Sequence, residues 1–179
     1  MSFGYVAPHG GTPIPGANPK GYMLGPDDGS YTWFEKALIT FKAKAADTQG
    51  VLSFFRCDVP QGWQAPVHRH HNESELFFIT EGRWEIFVND TVHEATAGST
   101  IWIPADTKHS IYVTSKTGQG HCVITPGGFE KFFEDTGEPA TVPSMPTHQT
   151  REPSVDELLK VGREMGWILE EPEPRRLGR

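Results

Sequence analysis

From Tyr31 to Thr125 the chain breaks into short runs of β-branched and aromatic residues, each ended by Gly, Pro, Asn or Asp. That rhythm specifies an all-β sandwich or barrel, because strands of this kind must pair with one another to bury one face each. About nine strands are read this way: Tyr31 to Phe41, Val51 to Val59, Val67 to His70, Glu75 to Thr80, Trp84 to Val88, Thr91 to Glu94, Thr100 to Ile103, His109 to Thr114 and His121 to Thr125. Asn89-Asp90 suits a tight hairpin, since short Asx side chains tolerate the left-handed backbone such turns need.

The flanks read differently. Residues 1–30 are rich in Gly and Pro without periodicity and are expected to form an extended arm, lying on the domain or on a neighbouring subunit. After Thr125, Phe129, Phe132 and Phe133 recur at helical spacing before Gly137, predicting a short amphipathic helix. A Pro-rich linker from Pro139 to Pro153 leads to Ser154-Val-Asp-Glu157, a capping box at the start of a helix expected to end near Met165, before Gly166. The tail beyond Glu170 is expected to be disordered. The expected organisation is thus 1–30 arm, 31–137 barrel with post-barrel helix, and 138–179 linker, helix and tail.

With 179 residues the chain fits one domain. A net charge of −7 argues against a nucleic-acid groove, which gathers Lys and Arg on one face. No segment has the ~20 apolar residues that cross a bilayer, and Met1 to Pro15 lacks a secretory pattern, so a cytoplasmic location is expected. Cys57 and Cys122 each sit inside an apolar run and read as buried thiols rather than a disulfide.

Four residues stand out as metal ligands: His68, His70, Glu75 and His109. His68 and His70 are two apart, so on one strand both imidazoles leave the same face. Glu75 follows at an odd spacing of five, which requires a turn within 71–74, for which Asn72 and Ser74 are suited. His109 opens a further strand after Pro104-Ala-Asp-Thr-Lys and can reach the pair from across the barrel. The competing reading, packing histidines without an ion, is disfavoured because burying unpaired imidazole and carboxylate is costly. His71 and Glu73 fall in the turn and are not read as ligands; His9, His93, His121 and His148 are read as surface or structural. Three nitrogens and one oxygen suit one divalent transition metal, Fe, Ni, Mn, Co, Cu or Zn, with a redox-capable ion preferred.

These stretches strongly resemble the two signature motifs of the cupin superfamily. G-x5-H-x-H-x4-E-x6-G is matched in full from Gly62 to Gly82. G-x5-P-x-G-x2-H-x3-N is matched at Gly98, Pro104 and His109, and departs at Asp106 and Val113, where glycine and asparagine are usual. The resemblance covers about residues 31–126 and implies a single double-stranded β-helix (jelly-roll) barrel holding one metal, here with an N-terminal arm and short C-terminal helices. Homodimers are common among such proteins, and a homodimer is expected.

Thr125 to Ala140 and Phe54-Phe55-Arg56-Cys57 also resemble bacterial single-cupin quercetin 2,3-dioxygenases. That resemblance implies dioxygen and a flavonol-like or related aromatic enol as reactants, with Glu75 both a ligand and the catalytic acceptor of the substrate proton. Phe55, Phe77, Trp84, Trp102 and Ile111 are candidates for the substrate-pocket wall, and Phe129, Phe132 and Phe133 for the barrel mouth or a dimer edge. Two rivals stand beside this reading: a redox-neutral isomerase, cyclase or decarboxylase using the same ion as a Lewis acid, and a non-catalytic metal or small-molecule binding protein.

Overall fold

A computed structural model describes residues 21–170. Its elements, in chain order, are β1 (Ser30–Phe34), β2 (Ala37–Ala43), α1 (Ala45–Thr48), β3 (Ser53–Pro60), β4 (Gln64–His70), β5 (Ser74–Glu81), β6 (Arg83–Val88), β7 (Thr91–Thr96), β8 (Thr100–Ile103), β9 (His109–Val113), β10 (Thr117–Thr125), α2 (Glu130–Thr136), β11 (Glu138–Pro139), α3 (Val155–Met165) and β12 (Trp167–Leu169). The strands form two antiparallel sheets, β11-β1-β2-β3-β10-β5-β8 and β12-β4-β9-β6-β7. Their inner faces enclose one apolar core, in which Ile39, Val59, Ile79, Trp84, Ile86, Val113, Cys122 and Ile124 are almost wholly excluded from solvent. This is a jelly roll of the expected all-β class.

Local chemistry sets the corners. Asn89 takes φ 54° between paired Val88 and Thr91, so the two-residue Asx hairpin forms where the sequence placed it. Gly82 adopts φ 86°, and a Cβ there would lie 2.4 Å from the Thr117 carbonyl, so only glycine fits this crossing between the sheets. Asp106 sits at φ 62°, where the signature motif has glycine, which a short Asx side chain tolerates.

Several elements depart from the sequence reading, the short helix α1 among them. The single strand expected over Tyr31 to Phe41 is a hairpin, turning at Glu35 and Lys36 with φ of 47° and 70°. Neither residue signals a turn; the chain reverses because Trp33, Phe34 and Ala37 to Ile39 can all be buried only by folding back. The linker contributes β11, which pairs with β1, and Ser144 accepts a hydrogen bond from Trp33 Nε1 at 2.8 Å. Beyond α3, Trp167–Leu169 adds a strand beside His68–His70.

Helix α3 begins as its cap predicts, with Ser154 Oγ accepting from Glu157 N at 3.2 Å, but the Glu157 carboxylate pairs with Arg151 rather than closing the box. Gly162 lets the helix approach Trp167 so closely that a Cβ would lie 2.5 Å from the indole. Helix α2 packs its phenylalanines on Phe34, Phe41 and Phe55. Buried Glu130 fixes the helix to the barrel by accepting from Ala45 N at 2.7 Å and from Ser53 Oγ.

Of the expected arm, residues 1–20 lie outside the described residues, as does the tail past Glu170. Residues 21–29 are in loop conformation beside β2, where Lys42 Nζ donates to the carbonyls of Gly25, Pro26 and Asp28 at 2.9, 2.7 and 2.6 Å. No helix among the described residues is long and apolar enough to cross a membrane.

Candidate metal centre

Strand β4 projects His68 and His70 inward, β5 brings Glu75 from the opposite sheet, and β9 opens with His109 directly across from His68. The odd spacing to Glu75 is absorbed by the non-strand residues 71–73, as the sequence required. All four side chains are buried, and their ligand atoms lie within 4.8 Å of one another.

Tautomers follow from the outward nitrogens. His68 Nδ1 is 2.7 Å from the Pro66 carbonyl and His109 Nδ1 is 2.9 Å from that of Thr107. A carbonyl can only accept, so each Nδ1 carries a proton, and in the neutral ring Nε2 is the nitrogen left with a lone pair. His70 Nε2 lies 3.6 Å from Glu75 Oε1, and His109 Nε2 lies 2.7 Å from Glu75 Oε2. The latter two atoms approach without hydrogen-bond alignment and have no other partner. A nitrogen and a carboxylate oxygen this close, both buried and without an aligned hydrogen bond, suit a cation once Nε2 is free of its proton.

Protonation agrees for three of the four groups. Burial, reinforced by the other two imidazoles, holds His68 well below its ordinary pKa, and burial lowers His70 despite the Glu75 charge. Burial alone would raise Glu75, but His70 and His109 overcome it and bring the carboxyl down to about 2. Burial also opposes a charged His109, yet Glu75 outweighs it and raises that ring, so a proton held there must leave for Nε2 to ligate. The residues present therefore fit a divalent transition metal: three imidazole nitrogens and one ionised carboxylate, a donor set that calcium and magnesium do not favour.

The cluster opens onto a cavity of about 90 Å³ between the sheets, and His68, His70 and Glu75 form part of its wall. Of the five proposed wall residues the structure gathers Phe55, Phe77, Trp84 and Ile111 there. Trp102 is not among them. It is 53% exposed on the outer face of β8, because Ile101 and Ile103 are the residues whose cross-strand partners, Phe77 and Glu75, point inward. The polar Thr100, sharing Trp102's face, is the signal that could have shown this. Sequence reasoning also missed Phe34, Trp63, Leu158 and Trp167 as wall residues. Trp167 packs 5.5 Å from the His68 ring; the apolar Trp-Ile-Leu run after Gly166 was its only signal.

Phe129, Phe132 and Phe133 close one side of the cavity, with the Phe129 ring edge-on to His70 at 4.4 Å. His71 is exposed beside Asp106, His121 stacks on Phe54, and His148 packs on Trp33; none faces the cluster. Glu73 lies on the far side of His70, where burial pushes its pKa up. Cys57 and Cys122 are buried free thiols, and Cys57 lines the cavity.

Residues 55–126, which contain all four ligand candidates, match the cupin domain family. Over 118 residues, 66% of the chain, the sequence is 28% identical to quercetin 2,3-dioxygenase of Bacillus subtilis (strain 168); the matched part is 35% of that protein, so the chain spans about a third of its length. Among solved structures, KdgF from a Halomonas species superposes with a TM-score of 0.55 at 11% identity, over 63% of this chain and 98% of that one. An RmlC-like cupin from Shewanella frigidimarina NCIMB 400 gives 0.54 at 16% identity, over 63% and 96%. Likeness at that identity establishes the fold, a cupin barrel.

Proposed function

We propose that this chain is a metal-dependent dioxygenase of an apolar aromatic enol, with the ion held by His68, His70, Glu75 and His109. One observation carries the reading: a buried three-histidine, one-glutamate cluster opens onto a cavity whose remaining wall is almost entirely aromatic and aliphatic. Such a wall favours a flat hydrophobic ligand, with Glu35, Gln64 and the Trp63 indole N–H as its few polar groups outside the cluster and no cationic side chain for a phosphate. The Bacillus relative is a quercetin 2,3-dioxygenase, which supports dioxygen and a flavonol-like enol as reactants.

Once bound, such an ion supplies Lewis acidity toward a substrate hydroxyl, and a redox-active one exchanges electrons with dioxygen. The chain's own residues do the rest. His68 and His109 are locked in the Nδ1–H tautomer by backbone carbonyls, so their donor atoms are oriented before any ligand arrives. The phenylalanines of α2 and Trp167 exclude water. Glu75, the carboxylate of the cluster, would hold the substrate's proton; the neighbouring imidazoles keep it ionised and so able to accept one. Entry of both oxygen atoms into the product needs no external reductant.

Cavity size narrows the substrate. A volume of about 90 Å³ is within a factor of two of the ~150 Å³ pocket that holds benzene, so one ring is admitted by a side-chain shift. Three rings exceed that volume several-fold in the conformation described. We therefore favour a one-ring enol over a whole flavonol. The test is oxygen uptake by protein loaded separately with Fe, Mn, Co and Ni, across enols of one to three rings. Metal-dependent consumption of one dioxygen per substrate, fastest for one ring, is expected. Equal turnover without oxygen would replace the reading with a redox-neutral reaction, and tight binding without turnover would make this a binding protein.

A further inference from the structure

Two of the three histidines in the cluster have their outward nitrogen engaged. His68 donates to the Pro66 carbonyl and His109 to the Thr107 carbonyl, in each case the carbonyl two residues earlier. His70 breaks the pattern: its Nδ1 is buried and has no hydrogen-bond partner. The atom it faces is Glu73 Oε2 at 3.9 Å, which is likewise buried and unpartnered. One donor and one acceptor thus confront each other, about 1 Å beyond a charge-assisted hydrogen bond.

The segment bearing Glu73 is held in place on both sides. His71 N donates to the Gly166 carbonyl at 2.8 Å, and Asp106 N donates to the His70 carbonyl at 2.7 Å. Gly166 approaches Asn72 closely enough that a Cβ there would lie 2.9 Å from Nδ2. The loop therefore keeps the Glu73 side chain, only 13% exposed, against the imidazole edge turned away from the cluster.

We propose that Glu73 is the positioning residue of the metal centre, its carboxylate accepting the Nδ1–H of His70 so that Nε2 is presented to the ion. A charged acceptor does more than the two carbonyls do: it makes the imidazole a stronger donor as well as fixing its tautomer and ring plane. His70 is the histidine that needs it most, since Phe129 rather than a polar group packs on its ring. Glu73 does not touch the substrate cavity and is not a catalytic residue. The inference rests on the reading of the cluster as a metal site, not on which reaction that site runs.

The experiment measures affinity of the full-length chain for Co²⁺ and Zn²⁺ by competition with a chromophoric chelator, for the parent, Glu73→Ala and Glu73→Gln. It is paired with the NMR signal of the His70 Nδ1 proton in the Zn²⁺-loaded proteins. Glu73→Ala should bind both ions about 10–100-fold more weakly and lose the slowly exchanging His70 signal. Glu73→Gln, whose amide oxygen still accepts but carries no charge, should fall between, with the signal retained and shifted upfield; it also serves if the alanine variant does not fold. Parent-like affinity together with an unchanged His70 signal in either variant would overturn the role of Glu73 and leave the metal centre standing. A parent that binds neither ion would overturn both.

Discussion

Replacing Phe129 by alanine tests how the aromatic plug and the cavity are related. The side chain is 5% exposed, lies edge-on to His70 at 4.4 Å, stacks on Phe132 at 5.1 Å and meets Phe133 at 5.7 Å. Removing a buried phenyl ring costs about 3–5 kcal/mol, the sum of lost transfer free energy and the void left behind. Three ring contacts place this site toward the upper end. For a chain of this length each kcal/mol lowers Tm by about 2–4 °C, so a fall on the order of 10–20 °C is expected. The void approaches the ~150 Å³ that accommodates benzene and adjoins the existing space of about 90 Å³. Benzene at about 100 times its Kd for the variant should then restore ~2.7 kcal/mol, or about 5–10 °C, in the variant and less in the parent, whose smaller cavity admits a ring only with a side-chain shift. The assay is thermal unfolding by circular dichroism with and without benzene. A loss under about 1 kcal/mol, or the same benzene shift in both proteins, would show that Phe129 does not fill this space.

Other consequences concern residues away from the plug. Trp102→Ala should leave stability within about 0.5 kcal/mol and oxygen uptake unchanged, since the indole is exposed on the outer sheet face; chemical denaturation and an oxygen electrode check both, and a large loss of uptake would return Trp102 to the site. Gly118→Ala would bring a Cβ to 2.9 Å from the Trp84 indole, itself 1% exposed, and should destabilise by about 1–3 kcal/mol with altered tryptophan fluorescence. Burial pushes the pKa of Cys57 and of Cys122 upward, so neither should react with a thiol reagent at pH 8 until denaturant is added; modification of the native protein at the rate of a free thiol would contradict their placement.

Legibility tracked the range of the interactions involved. His68 and His70 share a strand face because side chains alternate with period two, and Gly82 and Asn89 mark corners because their backbone geometry is local. Glu75 could be placed only by assuming a turn, and residues 71–73 supply it. Trp102 was misplaced because the apolar bulk of the indole outweighed a single weak cue, the polar Thr100 on the same face of a four-residue edge strand. The Glu35-Lys36 hairpin was invisible because its driving force is burial of the flanking apolar residues, not a preference of the turn residues.

Sequence alone determined the strand rhythm, the four candidate ligand residues and the three segments that deliver them, since each depends on spacing within a few residues. Only the tertiary structure decided that Trp167 from the end of α3 packs against His68, that Glu73 rather than a carbonyl faces His70 Nδ1, and that three phenylalanines reduce the cavity to about 90 Å³. Those contacts join residues tens of positions apart or choose among rotamers, and they exist only once two sheets and two helices close on a common core.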